Sequence, residues 1–74
     1  MIGKIVKFKL KDGFAYFEVI REFSNIIRDI CYCKCLKDCS IGPYKYKAGQ
    51  YSNIYKDYLI EITREEFNKI MVFS

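Results

Sequence analysis

A mainly β, α+β domain is predicted, either a small curved antiparallel sheet or an SH3-like, partly open barrel, with one C-terminal helix. Three observations carry this: an alternating apolar pattern at the start of the chain, a stretch from Cys31 to Cys39 that holds every cysteine, and a capped helical stripe at the end. A chain of 74 residues is one domain, 1–74, and buries only about three fifths of the surface that its unfolded form exposes. With 51% hydrophobic and 18% aromatic residues it has the composition of a folded protein, not of a disordered one. The first nine residues read Met-Ile-Gly-Lys-Ile-Val-Lys-Phe-Lys, with lysines interrupting the apolar residues. No signal peptide or membrane span is expected from that pattern, and the expected location is the cytoplasm, whose reducing conditions disfavour permanent disulfides.

The hairpin comes first. Val6, Phe8 and Leu10 alternate with Lys7, Lys9 and Lys11; Asp12-Gly13 follows, and Ala15, Phe17 and Val19 then alternate within Phe14 to Glu22. Taken as a two-residue turn, Asp12-Gly13 sets Leu10 against Ala15, Phe8 against Phe17 and Val6 against Val19, with Lys7 facing Glu18 on the other side. Ser24-Asn25 marks the next turn, and Ile26 to Leu36 reads as a third strand. A two-residue loop at Ser24-Asn25 would turn Cys31, Cys33 and Cys35 outward, and one more loop residue turns them inward. The inward arrangement is favoured, because it sends Arg28 and Lys34 to solvent and buries cysteines, which are among the most buried residue types. From Lys37 to Asn53, Gly42-Pro43 and Gly49 break the pattern into a long loop with at most a short edge strand. A last strand is expected over Ile54 to Ile62. Thr63 and Glu66 then form a capping box, and Phe67, Ile70 and Met71 make the apolar stripe of a helix reaching Val72.

The cysteines are the first candidate for chemistry. Their spacing is Cys-x-Cys-x-Cys-x3-Cys, and the chain has no histidine. A structural zinc ion needs four thiolates at about 2.3 Å, whereas an extended strand separates Cys31 from Cys35 by roughly 13 Å. Packed free thiols are therefore the leading reading, and no cofactor is expected. The alternatives are a zinc site drawing on Cys31, Cys33, Cys35 and Cys39, as a partial set or shared across a dimer, and a Cys35–Cys39 disulfide.

The second candidate is a basic and aromatic segment. Positions 34–56 carry a net charge of +4, against +2 before and −2 after. Tyr44, Tyr46, Tyr51 and Tyr55 interleave there with Lys45, Lys47 and Lys56. Such a surface suits a protein interface, where tyrosine supplies rigid amphipathic area, or a base-stacking, phosphate-neutralising platform. The segment has no arginine, the side chain that reads bases and phosphates in bidentate fashion, so a protein partner is expected in preference to a nucleic acid. A solvated lysine face over a small core is the plain alternative. No enzyme is expected: with no histidine and no carboxylate pair in a shared context, neither general acid–base nor thiol chemistry has its usual parts. No membrane partner is expected, and a homodimer is allowed.

In its richness in Ile, Lys and Tyr the chain resembles the small accessory and anti-defence proteins of phages that infect AT-rich bacteria. This is a resemblance of composition that aligns no residues and transfers no site. It implies an accessory or inhibitory module that works by occupying another macromolecule.

Overall fold

The computed structural model describes residues 1–72, so positions 73 and 74 of the expected domain lie outside the described residues. Within them the elements run β1 (Ile5–Leu10), β2 (Gly13–Ser24), β3 (Asp29–Cys35), β4 (Cys39–Ile41), β5 (Tyr44–Tyr46), β6 (Tyr51–Tyr55), a 3-10 turn (Lys56–Tyr58), β7 (Leu59–Ile62) and α1 (Arg64–Val72). Five strands form one antiparallel sheet in the order β6-β3-β2-β1-β7, and β4 and β5 form a separate hairpin. β6 and β7 are edges that do not pair with each other, so the sheet does not close into a barrel. In a flat five-stranded sheet these edges would lie about 19 Å apart. The chain passes from one to the other through the three residues Lys56–Tyr58, in a 3-10 turn that advances only about 2 Å per residue, so the sheet must curl.

The expected strand over Ile54 to Ile62 is therefore two strands on opposite edges, divided by that turn. The expected loop over Lys37 to Asn53 is also corrected. Gly42, at φ +58°, and Pro43 turn β4 back on β5, and the chain has re-entered the main sheet by Tyr51, alongside β3.

The β1–β2 turn differs by two residues from the expected one. A twist-matched Asp-Gly turn needs positive φ at both central residues, yet no described residue other than glycine has one. Lys11 and Asp12 form the loop instead, and Gly13 takes the positive φ, at +144°. Val6 then faces Phe17 and Phe8 faces Ala15. A slip of two leaves the faces unchanged, so the apolar side is as expected, but Lys7 meets Tyr16 rather than Glu18 and sets its Nζ 4.4 Å from the centre of the Phe14 ring.

Between β2 and β3, the Asn25 side-chain oxygen accepts the N–H groups of Ile27 at 2.8 Å and Arg28 at 2.7 Å. This side-chain turn holds Asn25 to Arg28 out of the ladder, and β3 begins at Asp29 rather than Ile26. Cys31, Cys33 and Cys35 face inward, as expected, and are fully buried with Val6, Phe17 and Val19. The β4–β5 hairpin lies over this core: Cys39, Ile41 and Tyr46 pack on it, with Tyr46 edge-on to Phe17 at 6.3 Å.

On the opposite face, α1 covers Ile5, Tyr16 and Ile62 with its buried Phe67. Thr63 Oγ1 accepts the Glu66 N–H at 3.0 Å, capping the helix as expected. Among the described residues no helix is long and apolar enough to cross a membrane.

Candidate interaction surface

One extra residue in β2 decides what the outer face carries. Val19 pairs with Cys33 and Arg21 with Tyr32, so Ile20 is a bulge with no partner in β3. Up to Val19 the odd positions of β2 point inward. Beyond the bulge the alternation reverses: Glu22 joins Cys31 on the inner side, and Arg21 and Phe23 turn outward. Three outer rows result across β2, β3 and β6: Glu18–Lys34–Tyr51, Arg21–Tyr32–Asn53 and Phe23–Ile30–Tyr55. Tyr32 and Tyr51 stack with ring centres 5.3 Å apart and planes 9° from parallel.

The row ending in Tyr55 continues into the 3-10 turn and the β2–β3 loop. Tyr55 and Tyr58 contact at 6.1 Å. The Arg28 guanidinium lies over Tyr55 at 4.7 Å and over Tyr58 at 6.0 Å, and donates to the Tyr58 hydroxyl at 3.4 Å. At the loop tip Ile26 and Ile27 are 104% and 84% exposed, and Phe23, Tyr55 and Tyr58 are also exposed. Large apolar side chains scattered singly over a surface are ordinary, but a group of them at one end of a sheet is not.

The seven residues expected to form one surface are divided among three places. Tyr44, Lys45, Tyr46 and Lys47 belong to the hairpin, where Tyr44 is exposed and Tyr46 packs on the core. Tyr51 and Tyr55 belong to the outer face of the main sheet. Lys56 is drawn to the inner side, where its ammonium pairs with Glu22, whose other carboxylate oxygen takes the Met1 ammonium at 3.0 Å. Lys56 first, and then the chain terminus, hold the Glu22 carboxyl below its ordinary value. Phe23 and Tyr32 join the outer face, and Ile26, Ile27, Arg28 and Tyr58 gather at the end of the sheet beside it, where the Tyr58 ring also meets Phe8 edge-on at 5.9 Å; none of the six was expected there. A signal for two of them was present: isoleucines directly after Ser24-Asn25 can be loop-tip residues as readily as the start of a strand.

The cysteine strand is built for packing. Cys33 donates weakly to the Cys31 carbonyl at 3.5 Å, and Cys35 donates to the Lys37 carbonyl at 3.0 Å. Burial pushes the Cys33 thiol up to about 12, and burial followed by the neighbouring Cys35 thiol pushes Cys39 up to about 11. All four cysteines are free, and among the described residues no group of three or more Cys, His, Asp or Glu side chains is placed to hold a metal ion. An open groove of about 450 Å³ lies between the start of β1 and the start of α1, lined by Lys4, Glu61, Thr63 and Glu66 among others. Its hydroxyl, on Thr63, is engaged in capping α1.

No protein-family model matches the chain, and no curated protein or solved structure matches it.

Proposed function

We propose that the protein is a non-enzymatic interaction module that binds another protein through the outer face of its sheet, centred on Phe23, Arg28, Tyr55 and Tyr58. The observation that carries this reading is Arg28 held across two exposed tyrosine rings beside an exposed Ile26-Ile27 tip. Aromatic and arginine anchors with an apolar neighbour are what the centres of protein interfaces use, and an arginine already ordered on its rings loses little freedom on binding. The exposed Tyr44 and Lys45 on the hairpin extend the reading to the segment first expected. The strand order, with β7 returning to β1 after a one-turn 3-10 segment, supports an SH3-like, partly open curl as the scaffold. A cytoplasmic setting and a phage-type accessory or inhibitory role belong to the same proposal, the first supported by thiols used as packing groups and the second by composition.

Binding of single-stranded nucleic acid is the second reading, favoured by the parallel Tyr32–Tyr51 pair with Lys34 in the adjoining row. It ranks lower because Glu18 stands opposite Lys34 in that row.

The test is capture of a partner from extract of the cells that express the protein, with the wild type compared with a Phe23→Ser, Tyr55→Ser double variant, over a salt series and beside a fluorescent single-stranded oligonucleotide. The expected result is a protein retained as salt rises, lost with the double variant, and no oligonucleotide binding. An oligonucleotide held at low salt and released near physiological salt would replace the protein reading with the nucleic-acid one.

A further inference from the structure

The free edge of β6 is chemically unlike the other edge of the sheet. β6 reads Tyr-Ser-Asn-Ile-Tyr, with no charge and no proline, whereas β7 carries Glu61 among four residues. Charge and proline are the usual devices that stop edge strands from pairing with other chains, and β6 has neither.

The ladder shows which of its backbone groups are unused. Leu36 N–H bonds to Tyr16 O on the β2 side, and Cys35 N–H bonds to Gln50 O on the β6 side. Odd residues of β3 therefore bond toward β6 and even ones toward β2. Ser52 and Ile54, opposite Cys33 and Cys31, bond to β3. Tyr51 and Asn53, opposite even residues, aim their N–H and C=O groups away from the sheet, as Tyr55 does its N–H, the Tyr55 carbonyl opening the 3-10 turn; among the described residues no strand pairs with them.

We infer that this edge pairs with the same edge of a second copy of the chain, antiparallel about a two-fold axis at Asn53, joining two sheets into one. The sequence of the strand is self-complementary in that register. Asn53 meets its own counterpart, Tyr51 meets Tyr55, and Ser52 meets Ile54. The next positions outward set Lys56 against Gln50, so no lysine faces a lysine. The free edge groups of Tyr51 and Asn53 and the Tyr55 N–H of each copy find partners at once, with the Asn53 pair exchanging both of its hydrogen bonds. Tyr–Tyr pairs on either side add cross-strand contact on the outer face. Pairing over five residues is a small interface, so association is expected in the micromolar to millimolar range. The dimer uses the backbone of β6 and does not depend on which partner the outer face binds.

Analytical ultracentrifugation from micromolar to millimolar protein, together with amide hydrogen exchange, tests it. The expected result is a concentration-dependent monomer–dimer equilibrium in which the Tyr51, Asn53 and Tyr55 amides become protected as the dimer forms. The Ser52 and Ile54 amides, bonded to β3 in the single chain, should be protected throughout. Asn53→Pro removes an N–H that the fold does not use and should weaken association by about tenfold or more. If that variant fails to fold, Asn53→Lys, which keeps the N–H and sets like charges opposite each other, should give the same loss, partly restored by salt. A chain that stays monomeric at millimolar concentration, a dimer in which the outward amides exchange freely, or a dimer unaffected by Asn53→Lys would overturn the inference.

Discussion

Substitution of Cys33 separates cysteine as a packing residue from cysteine as a reagent. Cys33 is fully buried in the middle of β3, flanked by β2 and β6, and its thiol has one acceptor, the Cys31 carbonyl at 3.5 Å. Cys33→Ser keeps the shape but buries a hydroxyl whose only nearby acceptor is too distant for a good O–H···O bond, at a cost of about 2 kcal/mol. Cys33→Ala removes a single heavy atom from the core and should cost about 1 kcal/mol. Cys33→Val replaces one sulfur with two methyl groups, so it adds a little volume while suiting a strand, and should stay within about 1.5 kcal/mol of the wild type on either side. Domains of this length have about 4–11 kcal/mol in all, so each variant remains measurable. Urea unfolding followed by circular dichroism should place the midpoints in the order Val, Ala, Ser with unchanged slope, and the serine variant should melt roughly 8–16 °C lower. Because burial raises the folded-state thiol value to about 12, Cys33 contributes stability that is complete below the ordinary thiol range and is lost as pH rises toward that value. The alkaline decline should accordingly be shallower in the valine variant. Equal collapse of all three variants, or a serine variant as stable as the wild type, would refute the packing account; the first outcome would point to a metal or a disulfide.

Tyr46→Ala should destabilise the fold by about 1–3 kcal/mol through loss of its core contact and the edge-on pair with Phe17, whereas Tyr44→Ala should stay within about 0.5 kcal/mol; thermal denaturation of both variants checks this. Glu22→Gln should lower the melting point at neutral pH, and the gap from the wild type should close in acid. Lys56 and the Met1 ammonium hold the Glu22 carboxyl below its ordinary value, so the contribution is present above that value and disappears as pH falls through the lower folded-state one. A gap that stays constant below about pH 4 would show that the ion pairs do not act through this charge.

The parts of the fold legible in the sequence were those set by local chemistry. Thr63 caps α1 through one hydrogen bond to Glu66, and the alternation of Val6, Phe8 and Leu10 decides a face whatever the turn does. The orientation of the three cysteines was also readable, because placing them inside leaves Lys34 on the outer face and buries a residue type that favours the interior. Registers were less legible. The Asp-Gly signal names a turn without saying which residue takes the positive φ, and the structure puts that conformation on Gly13 alone. The split of the last strand depends on the distance between sheet edges, a property of the whole sheet that no local window contains.

The candidate surface escaped the sequence for a related reason, and the bulge at Ile20 is where it did so. Strict alternation along β2 would send Phe23 inward and Glu22 outward, giving an ordinary solvated strand end. With one residue unpaired, Glu22 turns to the inner side, where it binds the chain terminus and Lys56, while Phe23 turns out to share a row with Tyr55. The same reversal thus removes Lys56 from the surface expected for it and supplies the aromatic that completes another one. Nothing in Phe-Glu-Val-Ile-Arg-Glu-Phe announces a bulge, because Ile20 is as apolar as its neighbours. The pairing demand comes from the far strand: with Cys33 and Cys35 held against Val19 and Phe17, the Asn25 turn places Ser24 opposite Asp29, and β2 has one residue more than β3 between those two fixed points. The extra residue has to be absorbed somewhere, and the interaction surface is a consequence of where it is.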